Sequence, residues 1–160
     1  MYAVGHLGLG YLTTRLLRRE SNLNVALILT LSILPDTDVV IPFIPHRGPT
    51  HSVVVFIIVF IASLIYKKGR YAPYMASYAS HRVSDAFTGS YYGRTQLLWP
   101  LSRTWLPLYP KIIMGSTLEA SIETAFMLMA GMVLLYTGDY KKLVDFSPGN
   151  YLLFMPCRAV

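Results

Sequence analysis

The chain has 160 residues, room for one domain; 54% of them are hydrophobic and only 14% charged, and the mean hydropathy is +0.45. That balance excludes an ordinary soluble globular domain and favours a membrane protein. The net charge of +6 would suggest nucleic acid only if the basic residues formed a continuous stripe among exposed polar sequence, and they do not. A lone Cys157 excludes an internal disulfide and a cysteine-based zinc site. Met1 to Thr14 carries no Lys or Arg, so the start lacks the charged-then-apolar order of a signal peptide.

In chain order, Val4 to Arg19 has apolar residues at helical spacing, with His6 at its start and Arg15, Arg18 and Arg19 at its end. Ser21 and Asn22 mark a turn and a cap for a second helix, Leu23 to Leu34, which Pro35-Asp36-Thr37-Asp38 stops. Val39 to Pro45 is a Pro-punctuated loop too apolar for an ordinary wet loop, expected to dip into lipid or to cover a site. His46-Arg47-Gly48-Pro49-Thr50-His51-Ser52 then places two imidazoles on a tight turn opening into a helix, with Thr50 the expected cap. That turn can hold two nitrogens toward one metal or anion; the plainer alternative is two histidines that cap a helix and meet water.

The third helix runs from His51 to Tyr66 and stops at Lys67-Lys68-Gly69-Arg70. A fourth, Tyr71 to Phe87, carries His81 and Asp85 near its end. Thr88 to Ser116 differs in kind: Gly, Pro, Trp99, Trp105, Tyr91, Tyr92 and Tyr109 suggest a structured lid at a membrane interface. Leu118 to Tyr136 is a fifth apolar helix with Glu119 and Glu123 near its start and Lys141-Lys142 beyond it. The tail from 143 to 160 reads as a surface-lying segment. The expected fold is therefore all-α, a single domain over 1–160 built as a polytopic membrane bundle of about five helices with an aromatic-rich lid.

Alternating the direction of the helices sorts the charges. His6, Asp36, Asp38, His46, His51, His81, Asp85, Glu119 and Glu123 fall at one end, and Arg15, Arg18, Arg19, Lys67, Lys68, Arg70, Lys141 and Lys142 at the other. By the positive-inside rule the basic end and the C-terminus are cytoplasmic, and the N-terminus and the cluster face away from the cytoplasm. The first four helices are shorter than a hydrocarbon core of roughly 30 Å, so the cluster belongs in the outer half of the bilayer or at its rim.

Four imidazoles and five carboxylates there are costly to bury unpaired, and a bound cation satisfies them most simply. His81 and Asp85 stand four apart on one helix face, and Asp36 and Asp38 can reach an ion from one turn. Only Arg47 and Arg82 lie adjacent to supply a plain salt-bridge network. His6 also fits an interfacial histidine, and Glu123 a helix start. Mixed His and carboxylate donors suit zinc or manganese better than magnesium.

Gly5-His6, Leu34-Pro35-Asp36-Thr37-Asp38, His46 to Ser52, Tyr78-Ala79-Ser80-His81 with Asp85 and Thr88, Leu97-Leu98-Trp99-Pro100 and Leu118-Glu119 occur in that order. Over roughly residues 5 to 123 this resembles the YdjM-like family of membrane-bound proteins classed as metal-dependent hydrolases, itself similar to zinc-dependent phospholipase C and the fungal single-strand nucleases. The resemblance implies ligand roles for His6, Asp36, His51, His81, Asp85 and Glu119. One departure is that Gly115 stands where the phospholipase pattern has a histidine four residues before its late glutamate, and no fifth histidine exists. Two metals, zinc or manganese, are thus expected rather than three, with Glu123 substituting.

The expected chemistry is hydrolysis of a phospholipid or lipid-linked phosphoester by metal-activated water, with Asp36 or Asp38 taking the proton and Arg47 and Arg82 gripping phosphate oxygens. Membrane lipids are the expected partners. The alternatives are a metal-dependent nuclease at the membrane surface, for which Arg94, Arg103 and Lys111 with the lid aromatics offer a thin contact surface, and a non-enzymatic metal-binding or transport protein.

Overall fold

The computed structural model describes residues 1–18, 23–89, 93–109 and 111–144. Arg19, Ser21, Asn22, Tyr91, Tyr92, Cys157 and the tail beyond 144 lie outside the described residues. The chain is mainly helical: α1 (Ala3–Leu17), α2 (Val25–Ile33), α3 (Val53–Ile65), α4 (Met75–Phe87), α5 (Thr117–Thr137) and a short α6 (Lys141–Val144). Two ladders of two residues each sit between α4 and α5, with β1 (Thr88–Gly89) parallel to β4 (Ile112–Ile113) and β2 (Arg94–Thr95) antiparallel to β3 (Leu106–Pro107).

Local chemistry sets the boundaries. Asn24 caps α2 by accepting the Leu27 N–H at 2.7 Å. Pro35 turns the end of α2 into a 3₁₀ helix, Leu34–Val39, which carries Asp36 and Asp38. The cap of α3 is Ser52, which accepts from Val54 and Val55, and not Thr50. Pro49–His51 is a separate 3₁₀ turn, and Ser52 breaks into an extended conformation with ψ at 135° before α3 begins. Thr50 is thereby released to bind Asp38 instead.

Helix α1 is the hub, packed against α2, α4 and α5. Its glycines permit the approach: a Cβ on Gly10 would stand 2.0 Å from Ser32 Oγ, and one on Gly8 3.0 Å from the Phe126 backbone. An apolar core of Tyr11, Leu23, Val25, Ile28, Tyr74 and Ala130 fills the end of the bundle away from His6.

The outside of the bundle is more apolar than a water-soluble surface. The face that α4 buries is mostly polar, Ser77, Ser80, His81, Ser84 and Asp85 beside Met75 and Tyr78, while Val83 and Phe87 are exposed. Helix α3 buries no residue although every position except Ser63 is apolar. Only α5, at 21 residues and about 31 Å, is long and apolar enough among the described residues to cross a membrane. Across the lid region, Val53 N–H donates to Leu97 O at 2.9 Å and Gln96 N–H to Arg47 O at 3.0 Å, which ties the lid to the turn holding His51.

Candidate metal centre

The last turn of α4 supplies His81 and Asp85, the 3₁₀ turn after α2 supplies Asp36, and the 3₁₀ turn before α3 supplies His51. One donor atom from each lies within 4.8 Å of all the others. The four nitrogen-to-oxygen separations are 3.5 Å (His51 Nε2 to Asp36 Oδ1), 3.3 Å (His51 Nε2 to Asp85 Oδ2), 3.3 Å (His81 Nε2 to Asp36 Oδ1) and 3.5 Å (His81 Nε2 to Asp85 Oδ2). Donors about 2.0–2.1 Å from one ion stand roughly 3.3–3.4 Å from their neighbours in a tetrahedron, so these four separations suit ligands around one small cation. His6 joins at the side: its ring stacks on His81 at 3.7 Å between centroids, and its Nε2 lies 3.3 Å from Asp85 Oδ1.

Hydrogen bonding decides which nitrogens are available. His81 Nδ1 donates to the Ser32 carbonyl at 2.7 Å. Ser84 Oγ gives its proton to the His81 carbonyl, so His6 Nδ1, 3.0 Å away, donates to Ser84. Thr50 Oγ1 donates to Asp38 Oδ2 at 2.6 Å and accepts from His51 Nδ1 at 3.1 Å. With Nδ1 the donor in all three rings, each neutral imidazole carries its lone pair on Nε2. These three Nε2 atoms are buried without a hydrogen-bond partner.

Lone pairs facing carboxylate oxygens at such distances repel unless positive charge stands between them. Protons on all three rings would place three positive charges against the two of Asp36 and Asp85, whereas one divalent ion leaves no net charge. In the metal-free protein a proton partly serves. Burial lowers the pKa of His51, but the carboxylates of Asp36 and Asp85 that face its ring outweigh burial and leave it raised. Burial likewise pushes the Asp36 carboxyl up, and the imidazoles of His51 and His81 override it and hold it well below the usual carboxylate range.

The remaining sequence-predicted residues divide. Glu119 is 1% exposed; its Oε2 accepts the Gly115 N–H, and its Oε1 has no hydrogen-bond partner and lies 3.5 Å from the Met1 amine. That amine donates to Thr88 Oγ1 at 2.8 Å and stands 3.8 Å from Asp85 Oδ1. Glu123 is turned to the backbone and accepts the Tyr2 N–H. Asp38 and His46 are outside the convergent group. Asp38, 2% exposed, accepts from His46 Nδ1 at 2.8 Å, from the Arg47 N–H at 3.0 Å and from Thr50, and so serves as the buried partner that orients His51 and His46.

A cavity of about 500 Å³ opens against the centre, lined by Asp36 and Asp85 on its polar side together with His46, Arg47 and Arg94. Arg47 Nη2 lies 4.0 Å from Asp85 Oδ2. Arg82 is not among the lining residues; its Nε is buried without a hydrogen bond. Arg94, expected only as part of a thin nucleic-acid contact surface, instead lines this cavity, a placement for which an arginine in a lid carries no spacing signal. Ser32, Ser77, Ser80 and Ser84 were more legible, since Ser77, Ser80 and Ser84 share with His81 the one polar face of α4.

A family model described as "YdjM inner membrane protein" matches residues 1–143. No curated protein matches, and no solved structure does, so the likeness to phospholipase C and the single-strand nucleases rests on the sequence motifs alone.

Proposed function

This chain belongs to the YdjM inner membrane protein family, and from that premise we propose that it is a multi-pass, metal-dependent hydrolase of a phospholipid or other lipid-linked phosphoester. The observation that carries the reading is the set of unpartnered Nε2 atoms around Asp36 and Asp85, the two carboxylates that line a cavity whose wall also carries arginine. Asp36, His51, His81 and Asp85 would hold one ion. His6 Nε2, 3.3 Å from Asp85 Oδ1, would be the start of a second position, with Glu119 held beyond it by the Met1 amine that stands between Glu119 and Asp85. Zinc or manganese suits these donors.

When bound, such ions supply Lewis acidity toward a phosphoryl oxygen and acidify water. The chain's own groups do the rest. Arg47 and Arg94, on the cavity wall, are placed to bind non-bridging phosphate oxygens, a task that fits the guanidinium fork. His46, on the cavity wall, has Nδ1 donating to Asp38, so its neutral ring presents an Nε2 lone pair that can accept a proton from the attacking water. Asp38 is thereby a positioning residue, and Arg82 contributes charge beside Asp85 rather than contact.

The exposed apolar surfaces of α3 and α5 and the inward-facing polar side of α4 support embedding in lipid. The basic residues Arg15, Arg18, Lys67, Lys68, Arg70, Lys141 and Lys142 support a cytoplasmic face opposite the site. The test is metal analysis of the purified protein joined to a hydrolysis screen on vesicles of bacterial lipid extract, with and without a chelator. Bound divalent metal and chelator-sensitive release of a phosphorylated product are expected. A protein that binds metal but releases nothing under any metal would leave a structural or transport centre instead.

A further inference from the structure

Between Asp38 and His46 the chain runs through seven consecutive apolar residues, Val39-Val40-Ile41-Pro42-Phe43-Ile44-Pro45. The structure projects them outward: Phe43 is fully exposed, Val40 is 78% exposed and Val39 66%. A loop that met water would carry polar side chains here, and an apolar loop kept for packing would be covered. This one is neither. Its base is pinned, because the buried Asp38 takes hydrogen bonds from His46, Thr50 and the Arg47 N–H.

Part of its backbone is satisfied from within. Val40 N–H donates to Thr37 O at 3.1 Å, Ile41 to Asp38 O at 3.3 Å and Ile44 to Ile41 O at 3.4 Å, while Pro42 and Pro45 have no N–H to satisfy. Phe43 is held at φ 71°, in the left-handed region, and so closes the turn without a glycine. The Phe43 N–H and several of the loop's carbonyls have no backbone partner among the described residues, so the loop suits the headgroup and upper acyl region, where water still reaches, rather than the hydrocarbon centre.

We infer that residues 39–44 insert into the bilayer leaflet on the side of the metal centre and form the lip over which a lipid headgroup passes into the cavity. The occupant is lipid rather than a protein because of where the loop stands. Helix α5 is the membrane-crossing candidate, and its N-terminal turn carries Glu119, whose carboxylate reaches the same cluster; the site end of the bundle is therefore the end at which α5 leaves the bilayer. Val39 lies on the cavity wall beside Asp36, and Met114 and Tyr2 give the other side of the lining an apolar character. The rim is thus apolar and the floor charged, the order of chain and headgroup in a phospholipid. Insertion rests on the family and the geometry of the loop. The entry role rests in addition on the hydrolase reading.

The experiment uses the full chain with Cys157→Ser, spin-labelled at Phe43→Cys or Val40→Cys, in vesicles of phosphatidylethanolamine and phosphatidylglycerol. Met129→Cys, on α5, and Lys68→Cys serve as lipid and water references. Collisions with oxygen should exceed those with a soluble nickel chelate several-fold at 43 and 40, as at 129, with the reverse at 68. A label at 43 and 40 that behaves like 68, or that is shielded from both reagents by a second copy, overturns insertion. Metal content on the same preparations guards against misfolding, and agreement of the two loop labels is required. For entry, Phe43→Asp should reduce hydrolysis of vesicle lipid at least about ten-fold while leaving a soluble nitrophenyl phosphoester nearly unaffected; equal rates on both overturn it. A wild-type protein that hydrolyses neither defeats the hydrolase reading while leaving the label result to decide insertion.

Discussion

Two buried carboxylates sit at opposite ends of α1, and the chain treats them in opposite ways. Asp139, 1% exposed, is met by the Tyr11 hydroxyl at 2.9 Å, by Arg15 Nε at 3.6 Å and by Lys142. These partners hold its carboxyl below the usual range against the opposing pull of burial. Asp85, 5% exposed, lies among His6, His51 and His81, whose Nε2 atoms have no hydrogen bond. The first site is closed by the protein's own cations. The second has the Met1 amine 3.8 Å from Asp85 Oδ1 and the Arg47 guanidinium 4.0 Å from Asp85 Oδ2, but among the described residues no cation answers the three Nε2 lone pairs, which is what a chain does when the missing charge comes from outside.

That contrast is broken most forcefully at the ligands. His81→Ala and Asp85→Asn should each lower metal affinity by more than about 100-fold, since ligand loss exceeds the 10–100-fold typical of removing only a supporting partner. The metal-loaded proteins should also lose the thermal stabilisation that metal confers on wild type. Calorimetric metal titration and melting curves measure both, and full metal content in either variant would dismiss the centre as drawn. Asp38→Asn belongs one step lower. It leaves every donor atom in place but removes the acceptor that orients Thr50, His51 and His46, so metal affinity should fall about 10- to 100-fold and not vanish.

The closed site gives the counter-experiment. Asp139→Asn should cost about 1–3 kcal/mol of stability, because charged hydrogen bonds to Tyr11 and Lys142 are weakened while the guanidinium of Arg15 keeps its charge. Metal content should be unchanged. Denaturant melts and metal analysis on the same protein check it, and a loss of metal would show that the two ends are coupled through α1.

The distribution of what the sequence revealed follows the same physics. His81 and Asp85 are legible because a spacing of four on a helix fixes both side chains on one face. His6 required only the antiparallel alternation of helices. The spacing lets Asp36 and Asp38 both reach an ion, the family resemblance singles out Asp36, and the structure separates them: in a 3₁₀ helix successive side chains turn by about 120°, so residues two apart diverge, one toward the ligands and the other under the loop. His46 was drawn away from the ion by the same event, since Asp38 became its partner. The lid was legible as a composition but not as a contact surface, because its ladders are two residues long and its position depends on distant backbone carbonyls such as those of Arg47 and Phe87. The apolar exterior of α3 was legible as hydrophobicity, and length alone kept it from being recognised as a crossing or a surface helix.

Stability should depend on pH in opposite senses in the metal-free and the metal-loaded protein. In the metal-free state the raised pKa of His51 means that its protonated form, flanked by Asp36 and Asp85, contributes stability that is present at low pH and is lost as pH rises through that raised value. The depressed Asp36 sets the lower edge, where its contribution is lost as pH falls through its own value. Metal needs the imidazoles neutral, so the loaded protein behaves oppositely and weakens as pH falls. Between about pH 6 and pH 8, where imidazoles ordinarily titrate, melting temperature should therefore decline with pH when metal is absent and rise when metal is present. Parallel curves would mean that proton and ion do not compete for the same nitrogens.

The smallest expected effect is the most discriminating for chemistry. Arg47 lies on the cavity wall with its guanidinium 4.0 Å from Asp85, so its charge either balances surplus carboxylate or waits for an anion. Its backbone is engaged either way, since its N–H donates to Asp38 and its carbonyl accepts from Gln96, and its φ of 62° is equally unfavourable for lysine. Arg47→Lys thus changes the head group and little else. If the guanidinium grips phosphate, the variant should keep its metal and its melting temperature but bind inorganic phosphate several-fold more weakly, because lysine keeps the charge and loses the bidentate fork. If it only balances Asp85, phosphate affinity should hold while metal affinity rises or falls with the altered field at that carboxylate. Phosphate titration and metal content on one preparation separate the two, and no change in either would take Arg47 out of the site and leave Arg94 as the anion-binding residue on that wall.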